Sequence, residues 1–456
     1  MSAPDAAKVG LERGLGLPAA FSLVAGGIIG VSIFLIPGAV AHSAGTANLA
    51  LLVWIVAGLL SACAALCFAE LGTSIPETGG LYVYLRRAYR SEALAFCYAW
   101  MICFAYGSGA IAVVAIMAAT YLVPLFAPAG ADSYLTPITA CGLILSTLFL
   151  NITGVRNSGK VQVFLTALKL AMLAGLIAVP FLFLDFDMSW ASGPVRPSPD
   201  WLSTASGFVD GLLLCIFSFS GAFFVTQVAG EIRHPERNVS RAIILGFAAV
   251  FILYIGVNIS YFSALPFEKL TASDRVAGDI MGMAFGKAGT IAMSLGIGLS
   301  ALAVVNAQMT AYPRVAFALG QSGFLKKYLA RVEEGSHVPA VAITLVGGWS
   351  AVLSLTGSYQ AILATMAFVS QIFSILVVLA VIVLRRREPD LPRPFQTPGY
   401  PFTPLVFVVV SLTYMGVLLY QRPAQVALGI AIVAVGLPVF AISRWLSRSR
   451  DPGSSL

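Results

Sequence analysis

At 456 residues the chain is long enough for several soluble domains, but 59% hydrophobic and 10% charged residues, with a mean hydropathy of +0.90, exclude that class in favour of a polytopic membrane protein. Every polar interval is shorter than about 25 residues, too short for a core of its own. The net charge of +7 follows the order of the apolar segments, so it reads as a topology signal rather than a patch for nucleic acid or another acidic partner.

Residues 1–17 are mostly polar, carry Asp5 and Glu12, and lack the short apolar stretch of a cleavable signal. Segments able to cross about 30 Å of hydrocarbon fall at 18–40, 47–73, 92–124, 135–152, 160–184, 206–230, 241–264, 286–318, 338–356, 361–384, 403–420 and 426–444. Twelve spans are therefore expected, in an all-α fold. With the N-terminus inside, 21 of the 27 Lys and Arg fall on the inner side, five outside (Arg196, Lys269, Arg275, Lys287, Arg422), and Lys169 within the fifth span. This bias follows the positive-inside rule and predicts cytoplasmic termini, in a plasma membrane or, in a Gram-negative cell, the inner membrane. The stretch Pro76 to Arg90, with Gly79, Gly80, three tyrosines and three arginines, reads as an inner loop with a short interfacial helix.

Two spans are poorly suited to unbroken helix. Gly26, Gly27, Gly30 and Ser32 lie within seven residues of the first, and each glycine costs about 1 kcal/mol relative to alanine in a helix interior. The sixth carries Phe217-Ser218-Phe219-Ser220-Gly221 in mid-segment, about 190 residues after Gly30. If spans one to five and six to ten are inverted halves, these breaks are equivalent and mark a midplane transport site. Free N–H and C=O groups there could hold a zwitterion by backbone alone. The alternative is small-residue helix packing.

Lys169 lies about nine residues, or roughly 13 Å, into its span. A charge there costs about 2.5–3.5 kcal/mol on insertion scales and marks function, unless it snorkels to the headgroups. Glu70 and Asp210 lie near helix ends and are expected at polar interfaces. The six cysteines (Cys63, Cys67, Cys97, Cys103, Cys141, Cys215) sit in apolar segments without metal spacing and read as small buried hydrophobes. No metal, cofactor or disulfide-linked subunit is expected. No nucleophile and base pair up in the spans, which argues against an enzyme.

Several stretches together resemble the amino acid-polyamine-organocation (APC) transporter superfamily, in particular its L-type amino acid transporter branch and bacterial relatives. They are Gly27-Ile-Ile-Gly-Val-Ser-Ile-Phe34, Glu70 to Tyr84, Glu231-Ile-Arg-His-Pro-Glu-Arg-Asn238 and Asn306 to Pro339. The resemblance implies a leucine-transporter-type 5+5 inverted repeat with discontinuous helices 1 and 6. A ten-helix core (18–384, halves 18–184 and 206–384) would precede a loop (385–402), helices 11 and 12 (403–444) and a tail (445–456). It also implies that the amides of Val31, Ser32 and Ile33, around Gly30, hold a substrate carboxylate. The carbonyls of Ile28, Phe217 and Ser220, beside Gly221, would hold its ammonium, and the Phe217 ring would gate the site. Lys169 would take the place of a bound sodium ion, propping the first break and exchanging a proton. Val31, where the family has a smaller residue, and Phe223 and Phe224 depart from the pattern, so side-chain specificity does not transfer. The expected function is alternating-access, sodium-independent transport of small neutral L-amino acids, by exchange or by proton symport. The rival from another class is an amino-acid-sensing receptor.

Overall fold

The computed structural model describes residues 11–128, 132–184, 186–193, 201–273, 275–324, 326–356 and 359–450. In chain order its helices are α1 (Leu17–Ile28), α2 (Ser32–Leu35), α3 (Pro37–Ala44), α4 (Ala47–Ser74), α5 (Leu81–Tyr89), α6 (Glu92–Phe104), α7 (Tyr106–Leu122), α8 (Asp132–Ile152), α9 (Val155–Phe183) and α10 (Trp201–Ile216). There follow α11 (Phe224–Gln227), α12 (Pro235–Ala264), α13 (Phe267–Thr271), α14 (Val276–Gln321), α15 (Lys326–Leu329), α16 (Ala340–Ser354), α17 (Tyr359–Arg387), α18 (Phe402–Gln421) and α19 (Pro423–Arg450). Among the described residues, ten stretches are helical, long and apolar enough to cross a membrane, and Ser203–Ile216 and Ala340–Ser354 are shorter apolar helices.

Burial orders these helices. In the stretches Leu17–Leu35 and Glu92–Leu125, 67% of the apolar window is buried within the protein, against 17% in α18 and in Pro423–Arg444. The first and third spans thus form the centre, and the last two present their apolar surface to lipid. α1 is packed between α9, α12 and α14.

Three local expectations change. The third span is interrupted at Ala105 (φ −125°, ψ −83°), between α6 and α7. The Ser108 hydroxyl donates to the Cys103 carbonyl at 2.5 Å and the Trp349 indole to Phe104 O at 3.0 Å, so carbonyls freed by the bend find partners. The eighth span begins ten residues early, because α14 runs from Val276 and turns at Gly286, where φ is +60°. And α5 does not lie on a lipid surface: Leu81, Tyr82, Val83, Tyr84, Leu85 and Ala88 are buried. An amphipathic helix looks the same from sequence whether lipid or protein covers its apolar face.

Arginine–carboxylate pairs tie this end of the molecule together. Arg385 makes a two-pronged bond to Glu70 (2.8 and 2.7 Å), and the Thr397 amide donates to the same carboxylate at 2.7 Å. Glu70 therefore sits in a protein interface, fastening α17 and the 388–400 loop to α4. Arg87 of α5 pairs with Glu388 (3.0 and 2.7 Å), and these hydrogen bonds hold the Glu388 carboxyl below its ordinary range. What the pair contributes is present at neutral pH and lost as acid protonates Glu388.

Candidate functional site: two helix breaks and a buried lysine

α1 stops at Ile28, and Ile29 (φ −68°, ψ 87°) leaves the helix. The carbonyls at such an end have no partner within the helix, and this sequence supplies others. Lys169 Nζ donates to Gly26 O at 2.8 Å and to Ile29 O at 2.5 Å. The Tyr254 hydroxyl donates to Ile28 O at 3.1 Å. Lys169 is 2% exposed, so it turns inward to the break and does not snorkel. The α9 backbone can come this close because Gly26 has no Cβ; one there would strike Thr166 Oγ1 and Gln162 Nε2.

Beyond the break, the amide of Phe34 bonds to Val31 O (3.1 Å) and that of Ile36 to Ser32 O (2.9 Å). Among the described residues, no acceptor stands within hydrogen-bond distance of the amides of Val31, Ser32 and Ile33. Carbonyls on one side and free amides on the other give the break two opposite partial charges a few residues apart.

The second break follows α10. A 3-10 turn spans Phe217–Phe219, residues 220–223 form turns, and Gly221 takes φ +124°. α11 then begins, with the Phe224 amide bonded to Gly221 O at 3.0 Å. The two breaks touch. A Cβ on Gly221 would stand 2.8 Å from the Gly27 carbonyl carbon, 2.9 Å from its oxygen and 3.0 Å from Ile28 N. Gly221→Ala therefore meets both a strained backbone and a peptide that cannot yield, and each should cost about 1–3 kcal/mol. Thermal unfolding in detergent checks this, with Gly142→Ala, where nothing lies within 4 Å, as the harmless control. Equal midpoints for the two variants would refute the contact.

Aromatic rings surround the second break. Phe219 is buried against Trp54 (6.0 Å) and Tyr254 (5.2 Å), while Phe224 meets Tyr312 edge-on at 5.6 Å and Tyr312 meets Tyr106 at 6.1 Å. A cavity of about 100 Å³ opens beside the break, lined by Ser220, Gly221 and Phe223 with Tyr98, Phe373 and Gln371. The side chain of Phe217, the expected gate, lies outside the described structure.

The sequence-predicted residues Ile28, Gly30, Val31, Ser32 and Ile33 thus lie at one break and Ser220 and Gly221 at the other, with Lys169 under the first. Sequence reasoning missed Tyr254, Tyr312 and the polar side chains Gln162 and Thr166. The last two were legible: with Lys169 they recur at four- and three-residue spacing, one face of a helix. No group of three or more His, Cys, Asp or Glu that could hold a metal occurs among the described residues.

The sequence profile of the amino acid permease family matches residues 15–441. The serine/threonine exchanger SteT of Bacillus subtilis is 29% identical over 94% of this chain and 97% of its own length. The human cystine/glutamate transporter is 28% identical over 96% of this chain and 86% of its own. The mouse large neutral amino acids transporter small subunit 2 is 30% identical over 95% and 81%.

Proposed function

The chain belongs to the amino acid permease family, and we propose that it is a sodium-independent exchanger of small neutral L-amino acids, working by alternating access. The observation that carries this reading is the contact between the two helix breaks at Gly27 and Gly221, with Lys169 bonded beneath the first. The substrate carboxylate would lie on the amides of Val31, Ser32 and Ile33. Its ammonium would meet the carbonyls of Ile28, Phe217 and Ser220, one lone pair of Ile28 O being taken by Tyr254. Gly30 and Gly221 keep both surfaces bare of side chains, and the Phe217 ring closes over the bound molecule.

A neutral substrate is supported by how the buried charges are used. Glu231 is held by Arg314 and Glu70 by Arg385, and the cavity lining contains no ionisable acid or base apart from tyrosines. The relatives named for serine and threonine and for large neutral amino acids point the same way. Lys169 stands at the break, where a sodium ion would otherwise neutralise the carbonyls, which supports sodium independence. The same lysine supports a second reading, proton symport, because a desolvated ammonium can give up its proton.

The wider frame is twelve helices in a 5+5 inverted repeat. It comprises a ten-helix core over residues 18–384, two further helices and both termini in the cytoplasm, in the plasma membrane, with no disulfide-linked subunit. The test is a competition panel with the purified protein in proteoliposomes preloaded with labelled serine. Efflux is expected only when an outside neutral amino acid is present, with no response to sodium and no lumenal acidification. Efflux into substrate-free buffer driven by a pH gradient would replace exchange with symport; competition by acidic or basic amino acids alone would overturn the substrate class.

A further inference from the structure

Lys169 is not the only side chain of α9 that grips α1. Gln162 Nε2 and Thr166 Oγ1 each donate to Ser22 O at 3.2 Å, one turn before the bonds of Lys169 to Gly26 and Ile29. Behind Gln162 stands a chain of buried amides. Asn306 Nδ2 on α14 donates to Gln162 Oε1 at 2.8 Å and to Ser158 O at 3.2 Å. Asn151 Nδ2 on α8 donates to Asn306 Oδ1 at 3.0 Å. The Thr310 hydroxyl donates to Asn151 Oδ1 at 2.8 Å. All five side chains are 0–2% exposed.

The chain has a direction. Each amide's carbonyl accepts from the group behind it while its NH₂ points onward, so Gln162 can present only a donor to Ser22. It also has a weak joint. The side-chain links among α8, α9 and α14 are 2.8–3.0 Å, whereas both bonds to α1 are 3.2 Å and end on a neutral backbone carbonyl. Three helices form a fixed frame, and α1 is the part that can leave it.

We propose that Gln162 and Thr166, aimed by Asn306 and Asn151, are positioning residues for transport: they latch α1 to α9, and breaking that latch sets how fast the N-terminal end of α1 swings open. This rests on the alternating-access reading above. The residues do not touch the substrate; they act through the position of α1.

The full chain in proteoliposomes tests it with two readouts. The first is the rate at which a cysteine replacing Ala20, a fully buried position on α1, is modified by a thiol reagent, followed by peptide-resolved mass spectrometry without substrate. The second is exchange, split into maximal turnover and KM. Thr166→Val removes only the hydroxyl, and Thr166→Ser keeps it. With Thr166→Val and with Gln162→Met, modification of the Ala20→Cys site should rise about five-fold or more. Maximal turnover should fall about three-fold, with KM moved less than about two-fold. Thr166→Ser should behave as the parent, and Asn306→Asp, which cannot donate to Gln162, should follow Gln162→Met. Identical modification rates for Thr166→Val and Thr166→Ser would overturn the latch, as would a fall in affinity without a change in turnover. Because modification is read without substrate, the latch is judged even if the protein exchanges no amino acid, in which case the functional reading alone fails.

Discussion

Lys169→Met should abolish exchange while leaving the protein's abundance in the membrane near that of the parent. The substitution keeps most of the side chain's volume but removes two charge-assisted bonds, to Gly26 O and Ile29 O, each worth about 1.5–3 kcal/mol. Both carbonyls then sit in a dry interior with no donor. The break will close toward helix or draw in water, and a loss of about 3–6 kcal/mol lowers the population of the intact break by about a hundred-fold or more. Lys169→Arg should not rescue, because a planar guanidinium cannot occupy the space of one ammonium between two carbonyls. Equilibrium binding and exchange, measured on the same preparation, check this; full activity in Lys169→Met would remove the lysine from the mechanism.

The second large effect is expected far from the substrate. Glu231, in the turn after α11, and Arg314, on α14, are both fully buried and joined by two parallel bonds of 2.9 Å. Beside them, Leu15 pairs by backbone with the same turn: its amide donates to Glu231 O at 3.0 Å, and its carbonyl accepts from Arg233 N at 2.8 Å. Arg314→Met strands a carboxylate in the interior and should cost about 3–5 kcal/mol. Removing both charges, as Glu231→Leu with Arg314→Met, should cost less than the single change, because no uncompensated charge is left behind. Unfolding of the three variants in detergent gives the coupling directly. Additive losses would mean that the two residues do not act as a pair.

Much of the fold could be read from the chain, for identifiable reasons. Long apolar runs have only one stable form in lipid, so the spans declare themselves. Gly26, Gly27, Gly30 and Gly221 are conspicuous inside such runs, and a single lysine among apolar residues is more so. What escaped notice lies in pairings. Nothing near Glu70 in sequence names Arg385, 315 residues away, and nothing near Gln162 names Asn306. The bend at Ala105 was hidden for another reason. It has no proline, and its enabling residue, Gly107, whose Cβ would meet Ile102 O at 2.5 Å, looks like any other small residue of a packed membrane helix.

The meeting of Gly27 with Gly221 has a consequence for how such a molecule is probed. At its most crowded point there is nothing to trim, so a scan that shortens side chains one by one passes over the junction in silence. Only enlargement makes it audible: a single methyl on either glycine pushes peptide against peptide, or peptide against the Phe224 ring. Mutational maps that count lost activity per atom removed will therefore draw the middle of this protein as empty, although it is where the chain has least room to change.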